Sequence, residues 1–197
     1  MNNPNMSTSK DKVTIITGTR KGIGKYLAHY YQNLGHQVIG CSRGKVDFKL
    51  DRYDHFELDV ADEQSVVNMI RDVHQKYNKI DYLINNAGIA SMNHCLLTPS
   101  KTVDRVLNTN IMGSFLFIRE AAKVMSRHKT QGRIVNFSTV AVPMKLQGEA
   151  IYGASKAAIV TLTQILAKEL APFNMLTWGH FPPVGQNAPQ CPEIGPQ

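Results

Sequence analysis

The chain has 197 residues, of which 43% are apolar, enough for one sizeable core and short for two, so a single domain is expected. Its net charge of +7 comes from 22 basic and 15 acidic residues, scattered without a dense run or an aromatic stripe, which argues against nucleic acid and fits an anionic, phosphate-bearing ligand. Three distant cysteines, Cys41, Cys95 and Cys191, suggest no disulfide framework, the histidines lack metal-ligand spacing, and no stretch approaches the roughly 18 apolar residues of a membrane span, so a soluble, cytoplasmic, metal-free chain is expected.

Residues 1–12 are polar, lack the apolar core of a signal peptide and read as an extension. Short β-branched runs then alternate with longer helical patterns. A strand over Val13–Thr17 leads into a helix from about Gly22 to Leu34, strands follow at Gln37–Cys41 and His55–Leu58, and a helix spans Glu63–Tyr77. The connection from Arg43 to His55 is close to the minimum for a parallel crossover, so a loop is expected there. Tyr82–Asn85 reads as a strand, Ser100–Arg127 as one long helix, Arg133–Ser138 as a strand, Glu149–Ala171 as a helix and Asn174–Gly179 as a candidate sixth strand. This alternation predicts an α/β fold over residues 13–179: a Rossmann-like, doubly wound parallel sheet in three α/β/α layers. Six of the nine prolines lie from Pro172 onward and apolar periodicity stops after about Trp178, so residues 180–197 are expected to form an irregular tail.

The first strand runs into Gly18-Thr19-Arg20-Lys21-Gly22-Ile23-Gly24 and then a helix, the order a pyrophosphate site requires. Gly18 permits the turn, Gly22 lets backbone approach phosphate, and Gly24 lets the helix pack closely, while the helix N-terminus offers free N–H donors. Where an acidic residue after the second strand would hold an unmodified ribose, this chain has Ser42 and Arg43, and Lys21 stands nearby. A hydroxyl and two cations favour the 2′-phosphate of NADP(H), with NAD(H) left open.

Downstream, Tyr152 and Lys156 stand four residues apart at the start of an apolar helix, so they share a face and the ammonium favours the phenolate. With the glycine loop, that pair resembles the short-chain dehydrogenase/reductase family over roughly residues 12–170. Asp59-Val60 matches the adenine-binding position, Asn85-Asn86-Ala87-Gly88 the family's turn after the fourth strand, and Asn110 the asparagine of its proton relay. Taken singly, Asp59 reads equally as a helix N-cap and Asn110 as a structural amide.

The resemblance implies hydride transfer between a nicotinamide cofactor and a carbonyl or secondary alcohol of a small substrate. Tyr152 would be the acid/base, Lys156 would tune it and bind the cofactor ribose, and the family's serine would hold the substrate oxygen. Thr139 occupies that serine's position, with Ser138 next to it in reserve, and only one of them can face the tyrosine. Family members continue into a substrate lid and a seventh strand that residues 180–197 do not resemble, so a replaced or truncated terminus is expected. The alternative reading is a catalytically weak nucleotide-binding protein. A homodimer or homotetramer through the long helices is compatible with either.

Overall fold

The structure, a computed structural model, describes residues 12–180. The strands are β1 (Val13–Thr17), β2 (Gln37–Ser42), β3 (Tyr53–Glu57), β4 (Tyr82–Asn85), β5 (Arg133–Phe137) and β6 (Leu176–His180). The helices are α1 (Gly22–Asn33), α2 (Glu63–Tyr77), α3 (Ser100–Leu107), α4 (Gly113–Arg127), a short α5 (Ala141–Met144) and α6 (Ala150–Leu170). All six strands are parallel, in the order β3-β2-β1-β4-β5-β6. The predicted doubly wound sheet therefore forms, and its strand order reverses between β1 and β4, where such folds open a ligand crevice.

Every residue of β1 is buried, as a central strand covered on both faces demands. The larger core joins Ile15, Ile39, Leu83 and Ile134 to Val66, Met69 and Val73 of α2, Phe117 and Ala121 of α4, and Leu166 of α6. The opposite face is thinner. Ile16, Val38 and Ile84 pack there with Ala28 of α1 and with Phe48 and Leu50, which belong to the irregular connection from β2 to β3. The loop expected in that connection is present, and its two apolar side chains take the place of a crossover helix.

Three expectations change. The single helix predicted over Ser100–Arg127 is two helices separated by a π-helical turn at Asn108–Met112, a local widening that turns Asn110 fully inward. The cap of α2 is Asp62, whose carboxylate accepts from Gln64 N at 3.1 Å; Asp59 instead closes its own turn by accepting from Ala61 N. The stretch Ala150–Phe173 is long and apolar enough by composition to cross a membrane, against the sequence reading. One face of it, however, carries Ser155, Lys156 and Thr163, buried and hydrogen-bonded within the domain, as befits a helix packed on a sheet.

On the far edge, parallel register sets Leu176 beside Arg133 and Trp178 beside Val135. Leu176 and Trp178 stay 46% and 42% exposed. The expectations for residues 1–11 and 181–197 fall outside the described residues.

Candidate active site

The glycine loop closes against both neighbouring strands. Gly18 adopts φ +76°, a conformation that side chains other than glycine rarely tolerate, and its N–H donates to Cys41 O at 2.8 Å. A Cβ on Gly24 would lie 2.2 Å from Gly18 O and 2.6 Å from Asn86 Nδ2, so this glycine lets α1 pack closely where β1 and β4 end. At Gly22, φ is +59° and a Cβ would meet nothing within 4 Å, which leaves room for a phosphate. The α1 N-terminus has no side-chain cap and no acidic residue in its first turn. Free N–H groups, positive dipole and glycine backbone thus fit a pyrophosphate.

The turn after β4 is tied to this loop through Thr17. Its Oγ1 accepts from Asn86 N at 3.0 Å and Ala87 N at 2.9 Å, while the Asn86 side-chain amide donates back to Thr17 O at 2.9 Å. Thr17, the last residue of the first strand, carries no signal in the sequence for these bonds. Gly18, Arg20, Lys21, Ser42, Arg43, Asp59, Val60, Ala87 and Gly88 all line one cleft of about 330 Å³, with Leu58, Ile89 and Thr109 added by the structure. The second residue of α1, Ile23, is by contrast 58% exposed. The Ser42 hydroxyl donates to Gly44 O at 2.7 Å, a bond it would have to give up to donate to a phosphate.

The catalytic candidates gather at the ends of β4 and β5. Lys156 is buried and donates to Phe137 O at 2.7 Å; burial pushes its ammonium down to about 8. A Cβ on Gly88 would lie 3.4 Å from Lys156 Nζ and 3.3 Å from Asn110 Oδ1, so the cofactor turn runs directly past both. The Asn110 carboxamide is fully engaged: it accepts from Ile89 N at 2.9 Å and donates to Ile89 O at 3.0 Å and to Ser155 Oγ at 2.9 Å. This supports the structural reading of that amide, with Ser155 as a partner that its sequence position alone did not signal.

Tyr152 is half-buried, one turn before Lys156. Ser138 is buried, with its hydroxyl 3.5 Å from Lys156 O, whereas Thr139 is half-buried and its hydroxyl accepts from Ala141 N at 3.3 Å. Of the two neighbours Thr139 is thus the more accessible. Gly113 was also missed: a Cβ there would come within 2.7 Å of Val60, so the glycine opening α4 admits the Asp59-Val60 loop. A glycine inside a helical pattern was the available signal. A larger cleft of about 600 Å³ lies on the other side of the catalytic candidates, lined by Asn93 and Cys95, by Ala141, whose N–H donates to Thr139, and by Gly153, Ala154 and Ala157 of α6.

A model of the short chain dehydrogenase family matches residues 12–183. The chain belongs to the short-chain dehydrogenase family. As a member it is a nicotinamide-dependent oxidoreductase. It is 32% identical over 179 residues to an NAD-dependent glycerol dehydrogenase of Listeria innocua, a match spanning 84% of this chain and 67% of that one. To a 3-oxoacyl-(acyl-carrier-protein) reductase FabG of Staphylococcus aureus it is 33% identical over 170 residues, 81% of this chain and 69% of the other. Among solved structures, Thermoplasma acidophilum aldohexose dehydrogenase superposes with a TM-score of 0.82 at 30% identity, covering 87% of this chain and 66% of that one. ElxO with NADP bound gives 0.80 at 29% identity, with 85% and 71% covered.

Proposed function

We propose that this short-chain dehydrogenase interconverts a carbonyl and a secondary alcohol with NADP(H), using Tyr152 as general acid/base. The observation that carries the reading is the meeting, past Gly88, of the glycine cradle with buried Lys156, one helical turn from Tyr152. When bound, the nicotinamide cofactor supplies hydride to the carbonyl carbon or takes it from the alcohol.

The chain's own residues do the rest. Thr139 Oγ1 holds the substrate oxygen, and Tyr152 Oη gives it a proton in reduction or removes one in oxidation. Lys156, still charged at neutral pH, favours the phenolate so formed and offers an N–H to the cofactor ribose. Asn110 holds the turn around Ile89 in place, an anchoring role beside the proton relay expected from its sequence position. Three cations, Arg20, Lys21 and Arg43, line the same cleft, which supports recognition of a 2′-phosphate. The relatives divide between the two cofactors, with ElxO solved with NADP and the Listeria innocua glycerol dehydrogenase NAD-dependent, so the preference is carried by the cations of this chain.

Titration of the purified chain with NADPH and NADH, followed by nicotinamide fluorescence, is expected to show tighter binding of NADPH. Ketone-dependent loss of NADPH absorbance then reports turnover. Binding without turnover on a broad ketone and aldehyde panel would replace the enzyme reading with that of a nucleotide-binding protein. Equal affinity for both cofactors would refute the NADP preference.

We also infer a homodimer through α4 and α6. Phe115, Ile118, Ala122, Leu166 and Phe173 line a groove of about 570 Å³ between those elements, and Ile165 is half-exposed beside it.

A further inference from the structure

Between the glycine turn and β3 runs a hydrogen-bonded chain of side chains that no cofactor motif requires. Thr19 Oγ1 and Tyr53 Oη are 2.8 Å apart, Tyr53 Oη and His55 Nδ1 are 2.8 Å apart, and His55 Nε2 lies 3.1 Å from Gly44 O and 3.2 Å from Ser42 Oγ. Tyr53 and His55 are two residues apart on one strand, so they share a face of the sheet, and the parallel register sets His55 beside Gly40. Gly40 is what lets the chain pass. A Cβ there would lie 2.1 Å from Tyr53 Oη and 2.5 Å from Thr19 Oγ1.

Chemistry fixes the direction of these bonds. Burial pushes the Tyr53 phenol up to about 12, so it keeps its proton and has one hydrogen to donate. With Thr19 donating to Tyr53, Tyr53 donates to His55 Nδ1, and the remaining ring hydrogen, on Nε2, goes to Gly44 O. Gly44 O then receives both His55 and the Ser42 hydroxyl. The loop it belongs to holds Arg43, and the Arg20 guanidinium packs over Gly44 itself, with Nη1 3.1 Å from where a Cβ would stand. Both ends of the chain therefore touch segments that carry the cleft's cations.

We propose that Tyr53 and His55 are positioning residues that hold the 42–44 loop against the glycine turn and so set the preference for a 2′-phosphorylated cofactor; this deepens, and rests on, the NADP(H) reading above. Neither side chain need touch the cofactor. Their effect is to fix where Arg43 and Arg20 meet the phosphate. NADH lacks that phosphate and is insensitive to their exact placement.

The test compares NADPH and NADH dissociation constants for the wild-type chain and for Tyr53→Phe, His55→Leu and His55→Gln, with thermal unfolding as a control. Tyr53→Phe and His55→Leu are expected to weaken NADPH about tenfold while leaving NADH within about twofold, as loss of an aligned hydrogen bond would. His55→Gln keeps an acceptor and a donor and is expected to recover most of the preference. Wild-type preference for NADPH that survives unchanged in folded Tyr53→Phe and His55→Leu would overturn the inference alone, as would equal weakening of both cofactors, the mark of a merely structural role. Tyr53→Phe removes a single oxygen, so it decides the matter even where His55→Leu does not fold. No wild-type preference at all would instead bring down the NADP reading beneath it.

Discussion

Lys156 does two jobs that conflict. It must be buried to sit between Phe137 O and Gly88, and burial disfavours the charge that makes it useful. Its folded value near 8 against 10.5 for an open lysine means that the unfolded chain binds more protons between those pH values. Stability contributed through Lys156 thus rises with pH from about 8 to about 10.5, and below 8 the full cost of burying the ammonium, about 3 kcal/mol, is present. Urea unfolding of wild type and Lys156→Met at several pH values should show the wild type gaining on the variant across that window. A difference that stays flat would mean the ammonium is not held buried. Tyr152→Phe removes the proton but keeps the ring, so kcat should fall at least a hundredfold while cofactor affinity holds. Stopped-flow single turnovers and fluorescence titration measure the two, and retained turnover would strip Tyr152 of the acid/base role.

Elements act here through their ends. The uncapped start of α1, the Thr17 knot after β1 and the turn after β4 all converge at the switch between β1 and β4. The π turn before α4 supplies a buried amide that fastens the residues following Gly88. Asn110→Ala should therefore cost roughly 3 kcal/mol, since it removes the buried bond to Ser155 and leaves both part-buried Ile89 backbone groups without their partner. Chemical denaturation gives the figure, and cofactor affinity should drop with it. A loss below about 1 kcal/mol would show that water substitutes for the carboxamide.

The molecule as a whole is lopsided. Three helices pack on the larger core, while α1 and a loop cover the other face. Apolar side chains remain exposed on the α4 and α6 surface, and Trp178 and Leu176 on the edge strand. Burying the first of these patches between two copies gives the dimer inferred above, and light scattering should report twice the 21.9 kDa chain mass. Ile165→Glu places a charge at the seam and should return the monomer. A wild type that stays monomeric at tens of micromolar would remove this interface.

Residues along the chain were enough to name the sheet, the cradle and the Tyr152–Lys156 pair, because each rests on local periodicity or on glycine spacing that side-chain chemistry alone constrains. Which of the adjacent hydroxyls of Ser138 and Thr139 is the more exposed, why Asn110 points inward, and that the Ser42 hydroxyl donates to Gly44 depend on partners brought from other strands and helices. The Thr19, Tyr53 and His55 chain is the clearest instance. Its members belong to two segments far apart in sequence, and they meet only because parallel pairing of β2 with β3 sets His55 beside a residue that has no side chain. Local pattern carries no information about such pairings, since hydrogen bonds across a sheet are fixed by register, and register is settled by the packing of the whole core.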